Sequence, residues 1–163
     1  MPTDRREAIL ERLFTILQGI DGANSVTRNR DQLPEDKHPA IALLDGDEEA
    51  RAETEHRGRL GKSPNRVTMK PEIYVVLEQQ KPLNTTVGQE LNAFRVAILG
   101  AVLNDTTLIG DQRASFGLIG SNGELFHAGC VTDLGKDRTM DGQMLIQLHI
   151  TYTLNPAELL PSP

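Results

Sequence analysis

Residues 143 to 154 carry the feature that most constrains the fold of this chain, an alternation of apolar and polar positions. The even-numbered positions from Met144 to Leu154 are all apolar, whereas the odd-numbered positions are polar except for Leu145. Successive side chains of a β-strand point to opposite faces, so this period of two predicts a strand with one buried face. At roughly 3.3 Å per residue, the strand spans on the order of 40 Å. We therefore expect it to cross the domain and to organise the pairing of its neighbours.

Two segments have the helical period instead. Residues 4 to about 19 place their apolar side chains in one arc, with Thr3 as the predicted N-cap, so this helix should pack one face on the sheet. Thr86 and Gln89 form a T-x-x-Q capping box that opens a second helix, which runs to about residue 103. This second helix is apolar on two sides, so we expect one side to face the sheet and the other to face either the first helix or another subunit.

Four further segments are predicted to be strands: residues 39–44, 67–78, 114–119 and 125–134. Pro71 cannot donate to a strand ladder, which predicts an edge strand or a bulge at that position. The pair Asn122-Gly123 predicts a hairpin between the last two of these strands. The sequence thus predicts an α+β fold, with a single mainly antiparallel (mixed) sheet of about four to six strands and two helices packed on one face. Residues 1–155 should form one domain, followed by an extended proline-rich tail at 156–163.

Composition excludes several classes of protein. The 163 residues carry a formal net charge of -6 and include six aromatic side chains with no Trp, which argues against a nucleic-acid binder. The single cysteine, Cys130, rules out a disulfide framework within the chain and fits a reducing compartment. No run approaches the length of about 18 apolar residues that a membrane span requires, so we expect no membrane partner.

Residues 45 to 70 have an unusual charge distribution. Residues 45–55 contain six acidic residues and one arginine, whereas residues 56–70 contain five basic and no acidic residues. Almost no apolar residue interrupts the segment, which predicts a projecting loop at about 45–65, either a mobile loop or a hairpin arm. Two interpretations remain open: a solvated loop whose two limbs neutralise each other, or an arm that meets a complementary charge on a neighbouring subunit.

The search for catalytic or metal-binding residues finds no catalytic, cofactor or metal site. His127, Cys130, Asp133 and His149 are the only cluster of metal-capable side chains on neighbouring predicted strands, but strand parity puts His127 and Cys130 on opposite faces. Gly61-Lys62-Ser63 resembles the end of a phosphate-binding loop, yet the pattern requires a glycine where this chain has His56. We therefore predict a protein that is not an enzyme.

The candidate functional residues are instead positions suited to a subunit interface, namely the charged segment and the second apolar side of the second helix. They are Asp47, Glu48, Glu49, Glu53, Arg57, Arg59, Lys62, Arg66, Val96, Leu99 and Leu103.

The order of these elements resembles the tail terminator and tail-completion proteins of long-tailed bacteriophages and prophages. The matching segments are residues 38–45, 70–76, 91–108 and 145–152, within an overall resemblance that spans residues 4 to about 154. The resemblance implies a structural virion protein, made late and assembled in the host cytoplasm, that forms a homo-oligomeric ring, commonly a hexamer. Such a ring caps the tail tube, ends its polymerisation and offers a surface for joining the head.

The partners implied by this resemblance are further copies of the chain, the tail tube protein and the head-side connector protein, with no cofactor. Two alternatives remain at this point. One is a neck or head-tail joining protein of similar fold, and the other is a small-ligand-binding regulatory domain.

Overall fold

The computed structural model describes residues 4–29, 38–52, 64–77, 87–111, 116–134 and 142–160. Its elements, in chain order, are α1 (Arg5–Gln18), β1 (Ser25–Arg28), β2 (Ala40–Ala52), β3 (Asn65–Leu77), α2 (Val87–Leu103), α3 (Thr106–Ile109), β4 (Glu124–Leu134) and β5 (Gly142–Leu154), followed by a short 3₁₀ helix (Pro156–Leu159).

The strands form one five-stranded sheet in the order β1-β2-β3-β5-β4. Only β1 and β2 pair in parallel, and all other neighbours are antiparallel. The helices α1 and α2 share one hydrophobic core with the sheet, which confirms the predicted α+β class with a mixed sheet and two helices on one face. The predicted strand at 143–154 is confirmed as β5, which lies between β3 and β4 inside the sheet.

The core lies between the helices and the even-numbered face of β5. Ile146, Leu148 and Ile150 are fully buried there, and the register sets them against the odd-numbered, helix-facing side chains of β3. The helix α1 contributes Ile9, Leu10, Leu13 and Leu17, all fully buried, at the spacing of one helical face. The period-two and helical patterns of the sequence therefore identified the same core from its two sides.

Ion pairs fasten α1 to the structure around it. Arg28 at the end of β1 donates two hydrogen bonds to Glu7 of α1, at 2.6 and 2.9 Å, and two to Asp45 of β2, at 2.8 and 2.9 Å. Arg12 makes a bidentate pair with Asp105, at 2.6 and 3.0 Å, and thereby joins α1 to the N-cap of α3. The helices α1 and α2 also contact each other, and Leu99, on the second apolar side of α2, packs against the shared core.

The predicted N-cap of α1 needs a correction. Asp4, not Thr3, caps the helix, because its carboxylate accepts the backbone N–H of Glu7 at 3.1 Å. The predicted capping residue of α2, Thr86, lies outside the described residues.

Pro71 lies in the central strand β3, and the predicted bulge falls opposite it in β2. The register of β2 against β3 shifts between Leu44 and Asp47, which are opposite Glu72 and Lys70. Gly46 occupies the bulge with a φ of 70°, and a Cβ there would overlap the Lys70 carbonyl. Of the two options for Pro71, edge strand or bulge, the structure has the bulge.

Of the two forms predicted for residues 45–65, a mobile loop or a hairpin arm, the described residues show the hairpin arm. The strand β2 continues to Ala52, whereas the sequence predicted its end at residue 44, and it pairs antiparallel with β3, which begins at Asn65. The reason is that pairing with β3 satisfies the backbone of residues 47–52 even though their side chains are charged. Residues 53–63 lie outside the described residues.

The predicted strand at 114–119 is wrong at residues 116–119, as is its hairpin with residues 125–134, while residues 114–115 lie outside the described residues. The N–H groups of Leu118 and Ile119 donate to the carbonyls of Thr107 and Leu108 in α3, so this backbone pairs with a helix rather than with β4. Gly117, with a φ of 63°, lies too close to the Leu108 carbonyl for any side chain. The strand at 125–134 is present as β4, which pairs with β5.

Three short elements were missed by the sequence patterns: β1, α3 and the C-terminal 3₁₀ helix. The parallel strand β1 was not predicted, since four residues are too few to display a period. The tail predicted to be extended from residue 156 instead forms a 3₁₀ helix at Pro156–Leu159, whose Glu158 pairs with Arg5 at 2.9 Å.

Candidate functional site

The sheet has a second face, opposite the helices, which we call the open face. Register places Ala42, Tyr74, Leu145 and Val131 side by side across β2, β3, β5 and β4, and we call these four residues the apolar row. Val131 is 58% exposed, Tyr74 and Leu145 are half-buried, and Ala42 is buried. The solvated face of an antiparallel sheet normally carries polar side chains, so an apolar row on this face indicates a surface that meets a partner.

A charged cavity of about 300 Å³ lies at the other end of the open face from the apolar row. Its lining comes from β2, β3, β4 and β5 and consists of Glu49, Arg51, Arg66, Thr68, Glu124, Phe126, His149 and Thr151. Phe126 is 46% exposed, and its ring contacts the His149 ring edge-on, with the centroids 5.2 Å apart. The cavity therefore combines one aromatic wall with charged groups on its rim.

Hydroxyl groups form part of this cavity. The Thr68 and Thr151 hydroxyls lie 3.0 Å apart and share a hydrogen bond across β3 and β5. Thr151 is only 5% exposed, which makes it a buried polar residue outside the helix-facing core. Because each hydroxyl carries one donor and two lone pairs, the pair retains hydrogen-bonding capacity toward the cavity.

Two ion pairs stabilise the rim. Lys70 donates to Glu49 at 2.8 Å, and this hydrogen bond is the largest cause of the lowered pKa of the Glu49 carboxyl. Arg66 pairs with Glu124 at 3.1 Å across the sheet, although β5 separates their strands. Both carboxylates of the lining are thus already paired.

A second exposed apolar surface lies on the opposite side of the molecule, on α2. We call it the α2 stripe, and it consists of Ala93, Val96, Ala97 and Gly100, which succeed one another at the spacing of one helical face. All four are exposed, and the exposed fraction of Val96 is 65%. A Cβ on Gly100 would meet no atom within 4 Å, so the stripe is a smooth, open surface.

The predicted interface residues separate into three groups. Asp47, Glu49 and Arg66 lie on the open face, whereas Glu48 faces α1 and pairs with Arg6 at 3.1 Å. Val96 is exposed on the α2 stripe, but Leu99 packs against the core and Leu103 is half-buried. The remaining four, Glu53, Arg57, Arg59 and Lys62, lie outside the described residues.

The ion pairs bear on the two interpretations of the charged segment. Glu48 and Glu49 find their cations, Arg6 and Lys70, within the same chain. Only the pair of Glu49 with Lys70 joins the acidic limb to the basic limb, as the first interpretation expects, whereas Glu48 pairs with α1.

In the described part of the chain, no group of three or more His, Cys, Asp or Glu side chains is arranged to hold a metal ion. A bulge between His127 and Gly129 shifts the parity of β4, so His127 and Cys130 share the helix-facing side, which corrects the prediction of opposite faces. No helix among the described residues is long and apolar enough to span a membrane.

Comparison with known proteins leaves the family open. No family model matches the chain, and no match is found among curated proteins.

The sequence patterns missed most of the open face. Phe126, Val131, Arg51 and the two threonines were not among the predicted interface residues, because isolated strand residues give no sign of which strands become neighbours. One signal was present: Leu145 breaks the polar alternation of β5, and it lies in the apolar row. A hydrophobic residue on the polar side of an amphipathic strand could therefore have indicated a contact surface.

Proposed function

We propose that this protein is a structural subunit of the tail of a long-tailed bacteriophage, a tail terminator that assembles in the host cytoplasm and becomes part of the virion. Several copies form a closed ring, a hexamer in keeping with the resemblance, which caps the tail tube and ends its polymerisation. The free side of the ring then offers a surface to the head-side connector protein.

The observation that carries this proposal is the placement of apolar surface on opposite sides of one subunit, exposed at Val131 on one side and at Val96 on the other. The apolar row lies on the open face, and the α2 stripe lies beyond the helix layer on the other side. A ring built by head-to-tail contacts requires two different patches on each subunit, whereas a two-fold dimer requires one self-complementary patch. Two different patches on opposite sides of a subunit allow each copy to contact one neighbour on either side, as in a ring.

The elements that carry the family resemblance also supply these surfaces. Residues 70–76 contribute Tyr74 to the apolar row, residues 145–152 contribute Leu145, and residues 91–108 contain the α2 stripe. The resemblance and the contact surfaces thus involve the same parts of the chain.

The proposal is tested first by the state of the full chain in solution. Size-exclusion chromatography with light scattering, over a range of protein concentrations, should show a closed oligomer that negative-stain electron microscopy resolves as a ring. A chain that stays monomeric at high concentration and in the presence of tail tubes would overturn the proposal.

The second part of the test measures tube growth. Added to polymerising tail tube protein of the same phage, the wild-type chain should bind tube ends and limit tube length. Val131→Asp, which puts a charge in the apolar row, should abolish this effect, while Gln18→Lys at the exposed end of α1 should retain it. Binding to the head-side connector with no effect on tube growth would indicate the neck or head-tail joining protein instead.

A further inference from the structure

The strand β4 is the last strand of the sheet, and its outer edge carries main-chain groups that no described strand meets. The sheet order places β5 on one side of β4 and no described strand on the other. Among the described residues, the N–H and C=O groups of β4 make no hydrogen bond outside the sheet. Because alternate residues of an edge strand direct both groups away from their neighbour, this 11-residue edge can accept a further strand.

This edge lacks most of the features that normally prevent strand addition. Proteins commonly protect an edge strand by short length, by lysine, by proline or by a bulge. The strand β4 contains no lysine, arginine or proline. It does have a bulge, between His127 and Gly129, which leaves residues 129–134 as an uninterrupted half. Strand addition is therefore expected along residues 129–134.

Gly129 leaves a gap on the open face at the start of this half. Register places Gly129, Val131 and Asp133 on the open face, with Phe126 on the same face beyond the bulge. A Cβ at Gly129 would meet only Gln147 Oε1, at 3.6 Å, so packing among the described residues does not require the glycine. A glycine inside a strand often marks the close approach of another backbone, and an aromatic side chain on a neighbouring strand can cover it.

We infer that residues 129–134 bind an extended segment of another protein, which joins the sheet as a further antiparallel strand. The segment places a lysine or arginine opposite Asp133, a β-branched residue opposite Val131 and an aromatic residue opposite Gly129. Asp133 is exposed, and the Gln143 side chain donates to its carboxylate over 3.4 Å, a weak contact that leaves the carboxylate able to bind a cation. Main-chain hydrogen bonds supply affinity in this mode, and side chains at alternate positions supply specificity.

A second copy of β4 fits this edge less well than such a segment. The two-fold antiparallel register that matches Phe126 of each copy with Val131 of the other also sets Glu124 opposite Asp133. Glu124 remains exposed beside its ion-pair partner Arg66, and like charges directly opposite each other are unfavourable. A segment with a basic residue at this end avoids the repulsion, which favours a different chain as the occupant.

The test measures hydrogen exchange of the full-length chain, resolved to single amides, with the peptide Ac-Lys-Thr-Val-Thr-Phe-Thr-NH2. In the chain alone, alternate amides of residues 129–134 should exchange fast, and saturating peptide should slow them about tenfold or more. Protection of all these amides without peptide would overturn the inference, because the edge would already be occupied. Protection that appears when only the concentration of the chain is raised would also overturn it, since the occupant would then be a second copy.

Peptide variants test the mode of binding and the register. Two peptides, N-methylated on the Val or on the Thr that follows it, should behave oppositely, since only alternate N–H groups of an added strand point toward β4. One should lose binding and the other should retain it. Asp in place of the Lys should weaken binding about threefold, and Ala in place of the Phe about tenfold. Equal effects of the two N-methyl groups, or unchanged affinity of the Asp and Ala peptides, would contradict the inference.

A matched pair of protein variants locates the peptide on β4. Gly129→Val fills the gap and should weaken binding about tenfold, whereas Thr15→Val, exposed on α1 behind the sheet, should bind the peptide as the wild type does. A folded Gly129→Val protein with wild-type affinity would overturn the assigned register. If Gly129→Val fails to fold, the two N-methylated peptides on the wild-type chain decide the question.

Discussion

At the scale of single residues, Thr151 is buried although it lies on the face of the strand that the sequence pattern predicts to be exposed. It lies on the open face, yet neighbouring strands bury it to 5% exposure and Thr68 shares its hydrogen bond. A solvated threonine would tolerate truncation with little loss. This one takes part in a buried polar pair, so the free energy of unfolding should depend on both partners together.

We expect Thr68→Val and Thr151→Val each to lower the free energy of unfolding by about 1 kcal/mol, because each leaves one hydroxyl without its partner. The double variant should lose clearly less than the sum, since it removes both hydroxyls while preserving shape. Urea unfolding of the four proteins measures this coupling. Strictly additive losses would show that the two hydroxyls act independently.

Arg28 links β1, β2 and α1 through two carboxylates and gives stability a defined pH dependence. Its hydrogen bonds are the largest cause of the lowered pKa values of Glu7 and Asp45. A lowered pKa in the folded state contributes stability that is fully present above the ordinary carboxyl values of 4.5 and 3.8. That contribution is lost as the pH falls through the lowered pKa values.

We therefore expect Arg28→Gln to lower the free energy of unfolding at pH 7 by about 1.5 to 3 kcal/mol, the range for hydrogen bonds to charged groups. The difference from wild type should shrink steadily as the pH falls below about 5. Arg66→Gln, which breaks the more exposed pair with Glu124, serves as the control and should cost less than about 1 kcal/mol. A difference that stays constant down to pH 3 would assign the effect of Arg28 to packing rather than charge.

At the scale of elements, the bulge in β2 requires a glycine, whereas the helix α2 contains a glycine that a larger residue could replace. Gly46 sits at a φ of 70° with no room for a Cβ beside the Lys70 carbonyl, whereas Gly100 lies in the helix with open space around it. We expect Gly46→Ala to lower the free energy of unfolding by roughly 2 kcal/mol or more. Gly100→Ala should raise it by about 0.5 to 1 kcal/mol, the difference in helix propensity.

Denaturant unfolding of the two alanine variants, under conditions that keep each monomeric, provides the measurement. The comparison is matched, because both changes add one methyl group. A stabilised Gly46→Ala protein would contradict the bulge geometry. A destabilised Gly100→Ala protein would show that the α2 stripe is not open.

The elements that the sequence predicted well are those with a long, regular period. The strand β5 and the helices α1 and α2 each repeat their pattern often enough for one face to be identified. The end of β2 was missed because pairing with β3 outweighs the low strand propensity of the charged residues 47–52. The periodicity of one segment does not reveal which strand it will pair with. The charged cavity was missed for the same reason, since four strands supply its lining and their order in the sheet is a tertiary property.

At the scale of the whole molecule, the proposed ring depends on which surfaces of neighbouring copies come into contact. The α2 stripe of one copy either contacts the open face of the next copy or contacts a second α2 stripe. In a head-to-tail contact, the α2 stripe of one copy lies on the open face of the next. In a two-fold contact, like surfaces pair, and a subunit that has lost one surface still dimerises through the other. Complementation between two damaged variants separates these arrangements.

We expect Val96→Asp and Val131→Asp each to be monomeric alone, because each retains only one of the two surfaces and a desolvated aspartate opposes the contact. Mixed in equal amounts, they should form a heterodimer and nothing larger, since one intact stripe meets one intact open face and the other two surfaces are blocked. Sedimentation velocity of each variant and of the mixture gives the result, with Gln18→Lys as the control that should assemble as wild type does. Dimers of either variant alone would establish pairing of like surfaces, and a head-to-tail ring would then no longer be tenable.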